Sequence, residues 1–250
     1  MVQSDELEWP QSIVAPALDC VILMGSFSNA IAERRPIAAR NWRVFQQLAS
    51  WLARRGVPPN AISLAGMFCG IAAGGALAAT AQLSALEQRL AWLAAALLIQ
   101  LRLLANLLDG MVAIEGGRAS AVGTLYNEVP DRVSDAGTLI GAGYAVGGDA
   151  VLGFLAACVA VFTAYVRAMG KAAGAKNEFC GPMAKQQRML IVTLISIYCG
   201  VAPASWRLEI DSLRPWGIMA GGLALIIVGG VVTAARRLWR IAATLKATAR

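Results

Sequence analysis

Long apolar blocks separated by short polar and basic stretches dominate the chain. Six segments each approach the roughly 20 apolar residues that cross a hydrocarbon core. They run approximately over 61–81, 90–108, 125–146, 151–166, 189–204 and 216–235, the fourth and fifth being the shortest. The third differs from the others, because its first half carries Asn127, Glu128, Asp131, Arg132 and Asp135. Ahead of these segments, 41–55 places Trp42, Phe45, Leu48 and Leu52 on one helical face with basic residues around its ends. That pattern predicts a helix lying in the headgroup layer. The stretch 12–32 is moderately apolar but is broken by Pro16 and Asp19, and it reads as a surface helix or accessory segment. The expected architecture is an all-α integral membrane protein, with six transmembrane helices preceded by an amphipathic interfacial helix. Residues 1–33 form an accessory segment and 34–250 a single membrane domain.

Composition strengthens this picture and narrows the chemistry. Hydrophobic residues make up 58% of the 250 and charged residues 15%, which is membrane-like. There is no histidine, so a Ser-His-Asp triad, a Cys-His dyad and the usual zinc sites are excluded. The five cysteines show no CxxC spacing, and they read as small apolar filler. Acidic Asp5, Glu6 and Glu8 stand where a signal peptide would carry positive charge. Nothing in the pattern asks for a nucleic acid.

The net charge is +7, and its distribution sets an orientation. Basic residues collect before the first span (Arg34 to Arg55), between the fourth and fifth (Arg167 to Arg188) and after the sixth (Arg236 to Arg250). Only Arg89, Arg207 and Arg214 fall on the opposite side. Both termini and the loop carrying Arg118 are therefore expected in the cytoplasm, and a bacterial inner membrane is the expected location.

The candidate chemistry sits on the second and third spans. Arg102, Asn106 and Asp109 are separated by four and three positions, and Asn127, Asp131 and Asp135 by four each. At about 100° per residue each set shares one helix face. A short glycine-containing loop predicts that the two helices pack side by side, gathering carboxylate and amide oxygens. Carboxylates in hydrocarbon are costly unless paired, hydrated or bound to a cation, and hard oxygen donors suit Mg²⁺, Mn²⁺ or Ca²⁺. The alternative is a helix pair joined by Arg102–Asp109 and Arg132–Asp135 ion pairs. A second basic cluster follows the fourth span, with Tyr165, Arg167 and Lys171, and opens the fifth, with Lys185 and Arg188. It suits a phosphate on a lipid or on an acceptor, or anchoring to anionic headgroups.

The stretch Asn106–Asp131 resembles the CDP-alcohol phosphotransferase signature: DxxDGxxAR, eight residues, then GxxxDxxxD. Asp109, Gly110, Ala113, Gly123 and Asp131 match at the signature's spacing. Upstream, Val57-Pro-Pro-Asn60-Ala-Ile-Ser-Leu-Ala-Gly66 is similar to the family's TPNxxTLxG stretch. The resemblance implies two divalent ions, Mg²⁺ or Mn²⁺, that bind the diphosphate of a CDP-linked lipid such as CDP-diacylglycerol. A small hydroxyl acceptor then attacks phosphorus and CMP leaves, a step of phospholipid biosynthesis. It also implies a homodimer, Asp131 as the general base, and a metal set drawn from Asn106, Asp109, Asn127 and Asp131. Gly110, Ala113 and Gly123 would let a nucleotide approach the backbone, although small residues equally serve close helix packing.

The departures are specific. Asn106 and Asn127 stand where the family has Asp, and Ile114 where it has Arg, for which Arg118 four residues on is a substitute. An amide oxygen ligates a hard cation but brings no charge. Asp135, Glu128 or Glu115 could restore it, Asp135 being favoured as one turn beyond Asp131. The changes also permit a different reading, a membrane protein that binds nucleotide or lipid without catalysis.

Overall fold

The computed structural model describes residues 42–117, 121–175, 179–203, 206 and 216–248. The accessory segment expected over 1–33 lies outside the described residues, as does Arg118. Among the described residues there are seven helices: α1 (Arg43–Arg54), α2 (Pro59–Ala79), α3 (Ala85–Glu115), α4 (Ala121–Gly143), α5 (Ala150–Ala172), α6 (Lys185–Val201) and α7 (Ile218–Thr248).

Local chemistry sets the helix starts. Pro59 opens α2 at a position where its missing N–H has no helical partner to lose. Ser84 and Glu87 form a capping box at the head of α3, with the Ser84 N–H donating to Glu87 Oε2 at 3.2 Å. Asp149 caps α5, accepting the Leu152 N–H on Oδ1 at 3.0 Å, and its Oδ2 accepts from Trp216 Nε1 at 2.9 Å. That carboxylate ties the start of α5 to the approach to α7.

Helix α3 is longer than the apolar pattern indicated. It continues past residue 108 to Glu115, so Asn106, Asp109, Gly110 and Ala113 lie within a continuous helix and not at its end. Residues 109–115 read Asp-Gly-Met-Val-Ala-Ile-Glu, with no proline to stop the helix, so a single glycine and two acidic residues do not end it.

The side-by-side packing expected of α3 and α4 is corrected by the structure. Both pack extensively against α2 and hardly touch one another. Glycines spaced by four on α2 are the cause. A Cβ at Gly66 would stand 2.8 Å from Ala105 Cβ of α3, and one at Gly70 would stand 2.6 Å from Ser134 Cβ of α4. One at Gly74 would collide with the Gly137 carbonyl of α4. Small residues at one-turn spacing let backbones approach closely, as membrane helices require. The α2 helix thus serves as a shared spine, and α3 and α4 communicate by long polar side chains reaching past it.

The other helices complete the bundle, α5 against α4 and α7, and α6 against α3. Leu77, Trp92, Ile99, Leu139, Met189, Val192, Leu223 and Ile226 form the apolar core. The outside is apolar too. On α4, Leu125, Val129 and Val133 face outward at 62%, 56% and 44% exposure, whereas Ser134, Asp135 and Thr138 are buried. A water-soluble helix would show the reverse. Helices α2, α3, α5 and α7 are each long and apolar enough to cross a bilayer, and the chain is an integral membrane protein. Helix α4 is too charged and α6, at 17 residues, too short to qualify on length and composition. Helix α1 packs against α3, with Phe45, Leu48 and Leu52 half-buried around Ala49 and with Trp42 and Trp51 exposed.

Candidate functional site

Two carboxylates from the signature stretch occupy different surroundings within one electrostatic neighbourhood. Asp109 on α3 is buried and turns toward α2, where its Oδ2 accepts from Ser63 Oγ at 2.6 Å. Ser63 belongs to the upstream Val57–Gly66 stretch, so the two motifs meet through this bond. Spacing within the Val57–Gly66 stretch assigns Ser63 no role. Its signal was a hydroxyl on the face of an otherwise apolar helix, one turn before Gly66. Asp131 on α4 takes two donors on Oδ1: Asn106 Nδ2 at 2.6 Å and Lys185 Nζ at 2.6 Å. Asp109 lies within Coulombic reach of both Asp131 and Lys185.

Behind this pair runs a buried ionic layer. Arg102 of α3 passes beneath Gly70, where a Cβ would come within 3.0 Å of Arg102 Cδ. Its Nε donates to Ser134 Oγ at 2.6 Å, and its Nη2 donates to the Asp131 carbonyl at 3.2 Å and pairs with Asp135 Oδ1. Arg188 of α6 holds the other oxygen of Asp135 at 3.1 Å. Arg102, Asp135 and Arg188 are all nearly inaccessible. The pairs expected from single-helix spacing, Arg102–Asp109 and Arg132–Asp135, are therefore corrected. Arg102 selects Asp135, and Arg132 lies near Glu128 at 3.4 Å and Asp131 at 3.5 Å. Spacing along one helix identifies a shared face but not the partner on the next helix.

Lys185 and Arg188 do share a face, as their spacing of three predicts. They meet Asp131 and Asp135, spaced by four, as two rungs between α6 and α4. The turn before α6 is fixed to α7. Gly181 has φ +119°, a backbone state that side chains rarely adopt, and its neighbourhood is filled by Thr233. Thr233 Oγ1 accepts the Met183 N–H at 2.9 Å, and Arg237 donates to the Cys180 carbonyl at 3.0 Å. Arg188 also donates to the Met183 carbonyl at 3.2 Å.

The remaining candidates lie around this centre. Arg167 pairs with Glu128 at 2.5 Å and stands over the Phe179 ring. Lys171 is exposed in the last turn of α5. Asn127 is exposed one turn before Asp131, and Gly110, Ala113 and Gly123 are half-buried. Pro130 lies inside α4, so the Tyr126 carbonyl has no N–H to accept from at that position.

No family model matches the chain, and no curated protein matches it. Solved structures do match. This chain shares the fold of a phosphatidylinositol phosphate synthase. The Mycobacterium tuberculosis enzyme PgsA1 with CDP-DAG bound is 20% identical, with a TM-score of 0.63 covering 80% of this chain and 94% of that one. The same enzyme in complex with manganese and citrate is 20% identical at a TM-score of 0.60, covering 79% and 88%. Its apo form is 22% identical at 0.56, covering 77% and 93%.

The donor chemistry can be tested against the divalent ions that the resemblance implies. Mg²⁺ is commonly held by one or two carboxylates together with substrate phosphates; Asp131 Oδ2 and Asp109, whose Oδ2 accepts from Ser63 and whose Oδ1 accepts the Gly110 N–H at 2.5 Å, are the carboxylates available for that role. A second ion finds no such set. Among the described residues no three carboxylate or thiol side chains gather to hold a metal. Asp135 has both oxygens taken by arginines, and Asp131 Oδ1 is already saturated by an amide and an ammonium group. Among the described residues, Asp109 and Asp131 are therefore the carboxylates of this cluster not taken up on both oxygens by buried arginines, and no second set of carboxylates stands beside them.

Proposed function

We propose that this protein is a membrane phosphotransferase that moves a phosphatidyl group from a CDP-linked lipid, CDP-diacylglycerol, to a small hydroxyl acceptor with release of CMP. The observation that carries this reading is that Asp109 and Asp131, from two separate helices, lie in one electrostatic neighbourhood with Lys185, with Ser63 of the upstream motif orienting Asp109. Support comes also from the fold shared with a structure that holds CDP-DAG.

In this reading all six hydrophobic helices α2–α7 span the bilayer, α1 lies at its cytoplasmic face, and the site opens to the cytoplasm of a bacterial inner membrane. Two copies of the chain assemble as a homodimer. Asp109 and Asp131 hold one Mg²⁺ or Mn²⁺, with amide oxygens of Asn106 and Asn127 as neutral donors. The bound ion supplies charge neutralisation for the diphosphate and the departing CMP. Asp131 accepts the proton of the acceptor hydroxyl. Lys185 attracts the transferring phosphate, and Arg167 and Lys171 bias the surrounding potential toward anionic lipid and acceptor. Gly110, Ala113 and Gly123 leave room for the nucleotide, with Arg118 as a further cation. Arg188 and Asp135 act from behind by fixing α6 against α4.

A second reading is favoured by Asn106, Asn127 and the Lys185–Asp131 contact: a catalytically degenerate protein that binds nucleotide or lipid. Purified protein incubated with CDP-diacylglycerol, Mn²⁺ and a panel of hydroxyl acceptors separates the two. The enzyme releases CMP in a metal-dependent way, and Asp131→Ala stops it. Binding of CDP-diacylglycerol without CMP release on any acceptor selects the second reading.

A further inference from the structure

We propose that Lys185 is a built-in cation standing in for a second divalent ion, so that this site takes one divalent ion per chain. The inference deepens the phosphotransferase reading and rests on it for the identity of the phosphate ligand.

Charge balance carries the argument. Two carboxylates in hydrogen-bond contact repel unless a cation lies between them, so an Asp at position 106 would require one against Asp131. Asn106 removes that requirement: its Nδ2 donates to Asp131 Oδ1 at 2.6 Å. The single charge left on Asp131 is matched by the Lys185 ammonium, also 2.6 Å away on the same oxygen. Asp, Asp and a divalent ion sum to zero, and Asn, Asp and Lys sum to zero as well. The amide and the ammonium together thus replace one carboxylate and one metal.

Lys185 stands where the local backbone field disfavours a cation. It is the first residue of α6, beside the Ala184 cap, where the positive end of the helix dipole disfavours a cation. The carboxylate of Asp131 offsets this. Rotation away is limited, because the preceding turn is tied to Thr233 and the next turn is clamped through Arg188 to Asp135. Asp135, the next carboxylate on the same face of α4, cannot recruit another ion to this side, since Arg102 and Arg188 occupy both its oxygens.

The test is a Mn²⁺ titration of the full chain in detergent micelles, with free Mn²⁺ read by electron paramagnetic resonance. Wild type and Lys185→Arg should each saturate at one Mn²⁺ per chain. Lys185→Met should tighten that site tenfold or more, because a like charge leaves the ligand carboxylate. The double change Asn106→Asp with Lys185→Met should bind two Mn²⁺ per chain. Two ions on the wild type, none on the wild type, or unchanged affinity in Lys185→Met overturns the proposal. So does a double variant that elutes as the wild type does, keeps its helical circular dichroism and still binds one ion. Measuring CMP release in the same samples keeps the two ideas apart. Release with two ions bound removes the lysine proposal and leaves the enzyme; one ion without release on any acceptor removes the enzyme and leaves the lysine.

Discussion

Changing Asp135 to Asn removes one negative charge from the centre of the buried ionic layer with almost no change in shape. The side chains of Arg102, Asp135 and Arg188 are 1%, 1% and 3% exposed, so water cannot replace the lost counterion. Removing one partner of a buried ion pair costs about 3–5 kcal/mol, because the surviving charge stays desolvated. Here two guanidinium groups depend on one carboxylate. Asp131, 3.7 Å from Arg102, compensates only in part. The expected loss therefore lies toward the upper end of that range, a shift of about several thousandfold in the unfolding equilibrium. Reversible unfolding in mixed micelles, followed through the fully buried Trp92, measures it. Replacing the whole layer by Arg102→Met, Asp135→Leu and Arg188→Met together should restore stability to within about 2 kcal/mol of wild type, since apolar packing often matches a buried ionic cluster. Mn²⁺ stoichiometry of folded Asp135→Asn should stay unchanged. A loss below about 1 kcal/mol, or a lost Mn²⁺ ion, would refute this reasoning and return Asp135 to the metal set.

Three other changes probe the spine and the site. Gly74→Ala should destabilise by about 1–3 kcal/mol, because its methyl meets the backbone of α4. Gly75→Ala, with nothing within 4 Å, should be neutral or stabilise by up to about 1 kcal/mol through helix propensity; the same unfolding assay reads both. Ser63→Ala removes the donor that orients Asp109 and should weaken Mn²⁺ binding by about 10–100-fold, as loss of an outer-shell partner does. Arg167→Ala breaks a partly exposed pair with Glu128 and should cost under about 1 kcal/mol in unfolding. It should weaken the binding of short-chain anionic lipid to the micelle-embedded protein by about fivefold, matching roughly 1 kcal/mol per basic residue.

The helices were legible because apolar blocks of membrane length leave few alternatives, and the signature stretch singles out Asp109, Asn106 and Asp131, of which the structure brings Asn106 and Asp131 into contact. What spacing could not give was the partner across each interface. Arg102 and Asp109 share a helix face, yet one reaches past Gly70 to α4 while the other turns to Ser63 on α2. That division follows from where the glycines of α2 let α3 and α4 approach, a property of three helices at once. The two rungs between α6 and α4 were half visible, as a spacing of three in Lys185 and Arg188 and of four in Asp131 and Asp135. Their pairing needed the turn held by Gly181 and Thr233. The spacing of Asp135 from Asp131 suggests a further metal ligand, while its buried arginine partners come from helices distant in the chain and leave no mark on that spacing.

Mutual dependence of CDP and Mn²⁺ binding tests most directly whether Asp109 and Asp131 act together on a diphosphate. Equilibrium binding of CDP to the purified chain, with and without Mn²⁺, should show each ligand tightening the other by the same factor, as linkage demands. That coupling should vanish in both Asp109→Asn and Asp131→Asn. CDP binding that is indifferent to Mn²⁺, or a coupling that survives loss of either aspartate, contradicts the account.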